Sequence, residues 1–345
     1  ENEILYISHL HLPHFMPIPL SLFLVYAKMA SSPPSASMKL LLMIGILAAS
    51  VGYSNGDGKV AIYWGQNVES EKHIQEVSLL ETCETGIFSY VVIAFLDVFG
   101  NGKTPQFDLS NHCPSSTSCP ELAPQIARCK ELGVKLLLSL GGGGSGFNIT
   151  SAEDAWTVAD YLWWSFLAGD PFVGPFGPAV LDGIDFAMVG AGTTTYYPLF
   201  ARYLKHYATE DHPVLLTAAP QCFYPDYWLG SAIRTGLFDI VWPQFYDNSP
   251  CQYPNVEGLK EYWNIWTTEV VTPTFFLGLP AAPETAPSGG YIPPENLTSD
   301  VLPIASDLPK YGGILLWNKY YDQLNGNYSD HIKLFARESN SLLSY

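Results

Sequence analysis

Aromatic, amide and carboxyl side chains stand directly after short apolar runs of this sequence. Aromatic rings beside amides and carboxyls suit a carbohydrate, because the apolar C–H faces of a sugar stack on rings while its hydroxyls need polar partners. A sugar-binding cleft is therefore the first functional expectation. The segments that carry these side chains are 63–66, 95–97, 141–144, 185–189, 219–221, 244–246, 278–280 and 317–318.

One of these runs, residues 181–189, carries two carboxylates, Asp182 and Asp185. Side chains alternate across a strand, so Asp185, Ala187 and Val189 are expected to point the same way, toward the place where a ligand would bind. Alanine and valine side chains neither donate a proton nor form a hydrogen bond. Asp185 is therefore the one member of this row with a group suited to acid or hydrogen-bonding chemistry.

The elements that position these side chains read as alternating strands and helices. Short apolar runs separated by segments with helical spacing are typical of βα repeats. Eight such strands predict a single α/β domain, a (β/α)8 TIM barrel, in which ligands bind at the strand ends. The clearest helices are 152–167, with Ser151 as its N-cap, and 196–207. The predicted strands are 59–63, 90–95, 135–140, 183–186, 214–218, 240–244, 274–279 and 313–316.

The amino-terminal residues are expected to lie outside this domain. Residues 1–37 are interpreted as translation upstream of the start, and residues 38–56 as a secretory signal that begins with Met38, with Met29 as an alternative start. The apolar stretch after Met38 is shorter than the roughly 20 residues that span a bilayer. The barrel is assigned to residues 57–345, in a secreted or vacuolar protein without a membrane span.

Composition excludes several classes of function. The formal net charge is −17 and no cluster of lysine and arginine is present, which argues against a nucleic-acid partner. We expect no cofactor and no metal site, since the six cysteines show no Cys-x-x-Cys spacing. In a secreted chain an even set of cysteines predicts disulfides. The cysteines are Cys83, Cys113, Cys119, Cys129, Cys222 and Cys251, and possible N-glycosylation sites are Asn148, Asn296 and Asn327.

The ordered motifs resemble those of the plant class III chitinases, in glycoside hydrolase family 18, from about Val60 to Phe335. The resemblance implies disulfides 83–129, 113–119 and 222–251, and a cleft that binds N-acetylglucosamine or chitin oligosaccharides. The motifs are AIYWGQN at 61–67, FGNGKTPQ at 99–106, LSLGGG at 138–143, LDGIDF at 181–186, LTAAPQC at 216–222, QFY at 244–246 and GLPAAPE at 278–284. The sugar-binding residues that it implies are Tyr63, Phe95, Asp185, Gln244, Tyr246 and Trp317.

The family signature, Asp-x-x-Asp-x-Asp-x-Glu, reads here as Asp182, Asp185, Ala187 and Val189. In the family the final Glu protonates the glycosidic oxygen, and the Asp before it orients the N-acetyl group that attacks the anomeric carbon, an exception to the two-carboxylate scheme. The sequence therefore predicts a chain that is not an enzyme and has no catalytic residue. The carboxylates that could substitute for the missing acid are Asp247, Asp226 and Glu284.

Four alternatives for the function follow from this interpretation. The leading one is a monomeric, non-hydrolytic lectin for chitin fragments. The second is an inhibitor of a microbial glycosidase, xylanase or α-amylase, acting through surface loops. The long segment 68–77 could present such a surface or narrow a subsite of the cleft, and the alternative is a solvated insertion without a role. Residual chitinase activity and seed storage complete the alternatives.

Overall fold

The computed structural model describes residues 59–66, 75–144, 146–168 and 174–333. The expected upstream stretch 1–37, the signal 38–56 and most of segment 68–77 lie outside the described residues. Eight parallel strands close into a barrel, because β1 pairs with both β2 and the last strand. The strands are β1 Lys59–Trp64, β2 Phe88–Val98, β3 Gln106–Phe107, β4 Lys135–Gly141, β5 Gly183–Ala187, β6 Leu215–Ala218, β7 Ile240–Val241, β8 Thr274–Pro280 and β9 Tyr311–Trp317.

The barrel confirms the predicted fold class. β3 is an addition to it, a short strand that pairs antiparallel with β2. β7 ends at Val241, earlier than expected, because Pro243 has no N–H with which to continue a ladder. The chain keeps its course past the proline, since Gln244 forms isolated bridges with Gln221 and Gly278.

The helices lie around the barrel. Ser151 is the N-cap of α3, where its side chain accepts a hydrogen bond from the backbone N–H of Asp154, as expected. α3 was predicted to run to Leu167, but its last turn, Trp163–Leu167, widens into a π-helix. A second π turn, Leu297–Val301, separates α7 from α8. The α-helices are α1 Leu79–Glu84, α2 Leu122–Glu131, α3 Ala152–Leu162, α4 Tyr197–His206, α5 Gly230–Ile233, α6 Val256–Glu269, α7 Pro294–Asn296, α8 Leu302–Ala305, α9 Lys319–Leu324 and α10 Tyr328–Ile332.

Three disulfides link helices and loops around the barrel. Cys83 bonds with Cys129, Cys113 with Cys119, and Cys222 with Cys251, which confirms the pairing that the resemblance implied. Within the part of the chain that the structure describes, no helix is both long and apolar enough to cross a bilayer.

Buried side chains form two groups, one between the strands and the helices and one inside the barrel. The inner group includes Trp242 and Phe276 and continues upward to Tyr63, Phe95 and Ala187 at the carboxyl ends of the strands. The floor of the barrel mouth is therefore continuous with the packed interior, which fixes the side chains that a ligand would meet.

Candidate functional site

A cleft of about 440 Å³ opens at the carboxyl ends of the strands. It is the end of the barrel at which ligands bind in this fold. Five of the six predicted sugar-binding residues line it, and the sixth, Asp185, lies below its floor. The lining residues are Tyr63, Gln66, Phe95, Gly142, Gly143, Ala187, Val189, Gly190, Gln244, Tyr246, Asp247, Thr285 and Trp317.

Three aromatic rings contact one another on one side of the cleft. Trp317 meets Tyr63 edge to face with 5.1 Å between ring centroids, and stacks on Phe95 at 5.6 Å. Tyr63 and Phe95 are 6.0 Å apart. Trp317 is the partly exposed member of the three, at the end of β9. Because the two other rings hold it in place, its exposed surface could stack on the apolar face of a sugar.

Two glutamines present acceptors to the cleft. The side-chain amide of Gln66 donates to the backbone carbonyls of Ala94 at 2.9 Å and Asp108 at 3.0 Å. That of Gln244 donates to the carbonyl of Ala219 at 2.9 Å. With their nitrogens held by the backbone, the side-chain carbonyl oxygens of Gln66 and Gln244 remain for the hydroxyl or N–H groups of a ligand.

Tyr246 and Asp247 form the polar side of the cleft. Burial raises the pKa of the Tyr246 phenol, and the carboxylate of Asp247 raises it further, so the hydroxyl is a neutral donor at physiological pH. One carboxylate oxygen of Asp247 accepts the backbone N–H of Ser288 at 2.7 Å. Among the described residues that line the cleft, Asp247 is the one with an acidic side chain.

Asp185 is fully buried beneath the cleft and accepts four hydrogen bonds. Tyr63 and Ser139 donate to one carboxylate oxygen, each at 2.7 Å. Thr217 and Trp242 donate to the other, at 2.6 and 3.0 Å. Burial raises the pKa of Asp185, while the four donors oppose that rise. Asp185 does not line the cleft itself and is linked to the cleft lining through the hydroxyl of Tyr63.

Replacing Asp185 with asparagine is expected to change how stability depends on pH. Because burial raises the pKa of Asp185, the folded protein holds that proton more tightly than the unfolded chain. This contribution to stability is complete below the pKa of an aspartate in the unfolded chain, about 3.9. It is lost as pH rises through the pKa of Asp185 in the folded protein. Relative to Asp185→Asn, the natural chain should lose unfolding free energy as pH increases from about 4 toward neutrality. Urea unfolding across that range measures it, and a difference independent of pH would contradict it.

Ala187 and Val189 both line the cleft, as the strand alternation predicts. β5 ends at Ala187, and the chain then turns sharply, with the backbone N–H of Val189 donating to the carbonyl of Ala187 at 2.9 Å. Asp182 lies just before the start of β5, at the opposite end of the barrel, where it pairs with Lys135 at 2.9 Å. The four residues of the signature thus divide between the cleft wall, its floor and the base of the barrel.

Two of the three carboxylates considered as substitutes lie away from the cleft wall. Asp226 is buried and accepts the backbone N–H groups of Leu229 and Gln221, so it shapes its own loop. Glu284 is exposed and is not among the cleft residues.

Phe245, which shares a predicted segment with two cleft residues, points the other way and stacks on Trp263 in the outer core. Its neighbours Gln244 and Tyr246 face the cleft because side chains alternate along an extended chain.

Sequence reasoning missed the donors that hold Asp185. Ser139 and Thr217 are polar residues inside otherwise apolar strands, in the motifs LSL and LTA. Both are fully buried, and a buried hydroxyl needs a partner. That pattern could have indicated an acceptor inside the barrel. Across the described ranges, no group of His, Cys, Asp and Glu could hold a metal ion.

The three sequons occupy different settings. Asn148 accepts the backbone N–H of Thr193 at 3.0 Å, which anchors the loop beside the mouth. Asn296 donates to Asp300 at 3.3 Å. Asn327 is exposed, in a left-handed turn before α10. Asn327 is thus the sequon with the most accessible side chain.

Comparison with known proteins places this geometry in a family. Residues 59–282 match the model of glycosyl hydrolases family 18. An acidic endochitinase of Arabidopsis thaliana is 48% identical over 278 residues, which are 80% of this chain and 89% of the relative.

Three solved structures are similar to this barrel. The ICChI chitinase of Ipomoea carnea has a TM-score of 0.73 and 43% identity, over 81% of this chain and 100% of that one. The xylanase and α-amylase inhibitor XAIP-II of Scadoxus multiflorus has a TM-score of 0.72 and 41% identity, over 79% of this chain and 97% of the inhibitor. A tamarind chitinase-like lectin has a TM-score of 0.69 and 31% identity, over 79% of this chain and 98% of the lectin.

These relatives correct one expectation. The absence of a carboxylate at positions 187 and 189 predicted that the chain is not an enzyme, but several relatives at 45 to 48% identity are named acidic endochitinases, which points to an enzyme. The prediction was wrong because it took two positions of one strand to decide the activity of the whole cleft. The chain belongs to glycosyl hydrolases family 18, and within it to the plant class III chitinases.

Proposed function

We propose that this chain binds oligosaccharides of N-acetylglucosamine in the cleft, as a lectin does, and hydrolyses them with Asp247 as the proton donor. The aromatic group of Trp317, Tyr63 and Phe95 carries the binding part of the proposal, since it offers a partly exposed ring in a fixed position. The acceptors of Gln66 and Gln244 on the same cleft give the hydroxyl and N-acetyl groups their partners.

The geometry around Asp247 supports the chemical part. Hydrolysis of a glycosidic bond requires a proton on the leaving oxygen. Ala187 and Val189 cannot supply it, and Asp247 is the carboxyl group among the described cleft residues. The bond from Ser288 fixes one of its oxygens, so the carboxyl has a defined orientation beside Tyr246. The expected activity is low, because no described carboxylate lies on the cleft wall above Asp185 to orient the N-acetyl group.

Asp247→Asn tests this role. The asparagine keeps the size of the side chain and the bond from Ser288 but cannot donate an acid proton. Turnover of a soluble chitooligosaccharide should fall by a factor of about 10² or more, the usual share of general acid catalysis. The dissociation constant should change little, since the stacking ring is untouched.

Glu284→Gln is the matched control for this experiment. It removes an exposed carboxylate outside the cleft, so turnover should stay at the natural level. Equal turnover in Asp247→Asn and the natural chain would contradict the role of Asp247 as proton donor. It would not contradict the proposed binding of the oligosaccharide.

Inhibition of a microbial xylanase or α-amylase is a second candidate function. The similarity to XAIP-II favours it, as does the end of segment 68–77, which is fixed against the barrel. Trp64 donates from its indole nitrogen to the carbonyl of Val77 at 2.8 Å, and the carboxylate of Glu76 accepts the backbone N–H of Gly65 at 2.9 Å. Assays of both enzymes with the natural chain and with a deletion of 68–74 would show whether inhibition occurs and depends on this loop.

The cellular setting completes the proposal. Three disulfides are expected of an oxidising compartment. We propose residues 38–56 as the secretory signal, residues 57–345 as the mature barrel, and a monomer outside the cell or in the vacuole. Asn148, Asn296 and Asn327 are proposed glycan acceptors, with Asn327 the most accessible of them.

A further inference from the structure

A second aromatic surface lies on the outside of the barrel, away from the cleft residues. Trp156 on α3 is 40% exposed, and Trp164, in the π turn that extends α3, is 53% exposed. Single exposed aromatic residues are ordinary on a protein surface, but a group of them marks a binding site. We call the group formed by Trp156, Trp163, Trp164, Tyr203 and Tyr207 the α3–α4 platform.

Four rings of the platform, those of Trp156, Trp163, Tyr203 and Tyr207, contact one another, and Trp164 adds an exposed ring at the end of the same helical segment. Trp156 meets Tyr203 edge to face at 5.1 Å, and its ring is tilted by 37° against that of Tyr207 at 5.6 Å. Tyr207 in turn stacks on Trp163, with 5.1 Å between centroids and 13° between planes. The hydroxyl of Tyr207 donates to Asp160 at 2.8 Å, which fixes its ring. These four rings are thus held in place before any ligand arrives, which lowers the entropy cost of binding.

The dimensions of the platform suit an extended ligand. Trp164 follows Trp156 by eight positions, and eight residues of helix span about 12 Å. Trp163 directly precedes Trp164 and stacks on Tyr207, so Trp156 and Trp164 are the exposed rings at the two ends of this length. This length corresponds to a few units of a linear polysaccharide, so successive sugars could stack on successive rings.

The polar groups around the rings suit a neutral polymer. Thr157 and Glu153 on α3 and Asp160 beside Tyr207 offer hydrogen-bonding partners for hydroxyls. Arg202 and His206 on α4 are exposed as well, so this face carries both basic and acidic side chains. A mixed surface does not select a polyanion. Rings together with hydroxyl-binding groups favour an uncharged carbohydrate.

We propose that the α3–α4 platform binds the surface of insoluble chitin, a neutral polymer of N-acetylglucosamine, and so holds the barrel on a solid substrate. The proposal takes its choice of sugar from the proposed function of the cleft, but the site is separate and can succeed or fail independently. Its rings are not among the cleft residues, and a soluble oligosaccharide that occupies the cleft leaves the platform free.

The test compares adsorption to insoluble chitin with binding of a short soluble chitooligosaccharide. The double variant Trp156→Ala, Trp164→Ala should adsorb at least about tenfold more weakly, a loss of about 1.4 kcal/mol. Its affinity for the soluble oligosaccharide, measured by calorimetry, should equal that of the natural chain. The variant Trp156→Phe, Trp164→Phe keeps a ring at each position and should retain most of the adsorption.

Tyr227→Ala is the matched control, because Tyr227 is 73% exposed and lies outside the platform. It should adsorb as the natural chain does. Equal adsorption of the alanine double variant and the natural chain would overturn the proposal, as would equal losses in the alanine and phenylalanine variants. So would a concentration-dependent dimer abolished by the alanine variant with adsorption unchanged, since the platform would then be a protein interface. Failure of soluble binding with adsorption intact would count against the cleft alone.

Discussion

Ala187→Asp together with Val189→Glu should raise the turnover of a chitooligosaccharide by a factor of about 10², the scale on which the positioning of reacting groups changes rates, because the natural cleft lacks a carboxylate that orients the N-acetyl group. Both positions line the cleft, so both new carboxyl groups would face the ligand. A carboxyl group at position 189 could protonate the glycosidic oxygen. One at position 187 would stand next above Asp185 along the strand and could hold the N-acetyl group.

The fully buried Asp185 makes this substitution informative. Its four donors already hold it in place, so a second carboxylate beside it would share a site with a like charge. Like charges at close range favour one proton between them, which raises the pKa of one carboxyl group. The turnover of the double variant should therefore depend on pH through an additional ionisation, that of the carboxyl group with the raised pKa, which the natural chain lacks.

Ala187→Asn with Val189→Gln is the control of equal shape, and it should show no gain. In the carboxylate variant, a further Asp247→Asn change should no longer lower turnover, because the acid role would have moved to position 189. A folded carboxylate variant with unchanged turnover would show that the cleft does not place the glycosidic bond near this strand.

Trp317→Ala should weaken binding of a soluble chitooligosaccharide at least about tenfold, or 1.4 kcal/mol. The indole stands at the end of β9 against Tyr63 and Phe95 and offers the largest ring surface of the cleft. Its removal leaves the sugar without a stacking partner, and buried aromatic anchors commonly dominate binding energy. Calorimetric titration measures the change.

Leu132→Ala is a suitable comparison for Trp317→Ala. It shortens an exposed apolar side chain at the end of α2, outside the cleft. Its affinity for the oligosaccharide should match that of the natural chain. Equal affinities for Trp317→Ala and the natural chain would mean that the sugar binds elsewhere.

The sequence predicted the barrel well because each strand carries its own signal. The apolar runs, their spacing and the motifs at their ends are local features, and the family resemblance supplied the disulfide pairs. The short β7 could be anticipated from Pro243, which cannot donate to a ladder. The π turn after α3 could not, because Trp163–Leu167 has an ordinary helical composition and the widening depends on packing.

The residues that line the cleft could be predicted from the sequence, but the depth of Asp185 beneath them could not. Alternation along the strand accounts for Ala187 in the cleft, and Val189 also lines it, although the chain turns after β5 ends. The same alternation could not show how deep Asp185 lies, because depth depends on where Ser139, Thr217 and Trp242 stand on three other strands or strand ends. The prediction that the chain is not an enzyme was wrong because it weighed two positions of one strand above the rest of the sequence, which matches proteins named acidic endochitinases at 45 to 48% identity.

Titration of the natural chain with a soluble chitooligosaccharide tests the central claim most directly. The cleft geometry predicts measurable heat and one ligand per chain, with the heat strongly reduced in Trp317→Ala. No heat at millimolar ligand would contradict the assignment of this cleft as a site for N-acetylglucosamine oligosaccharides.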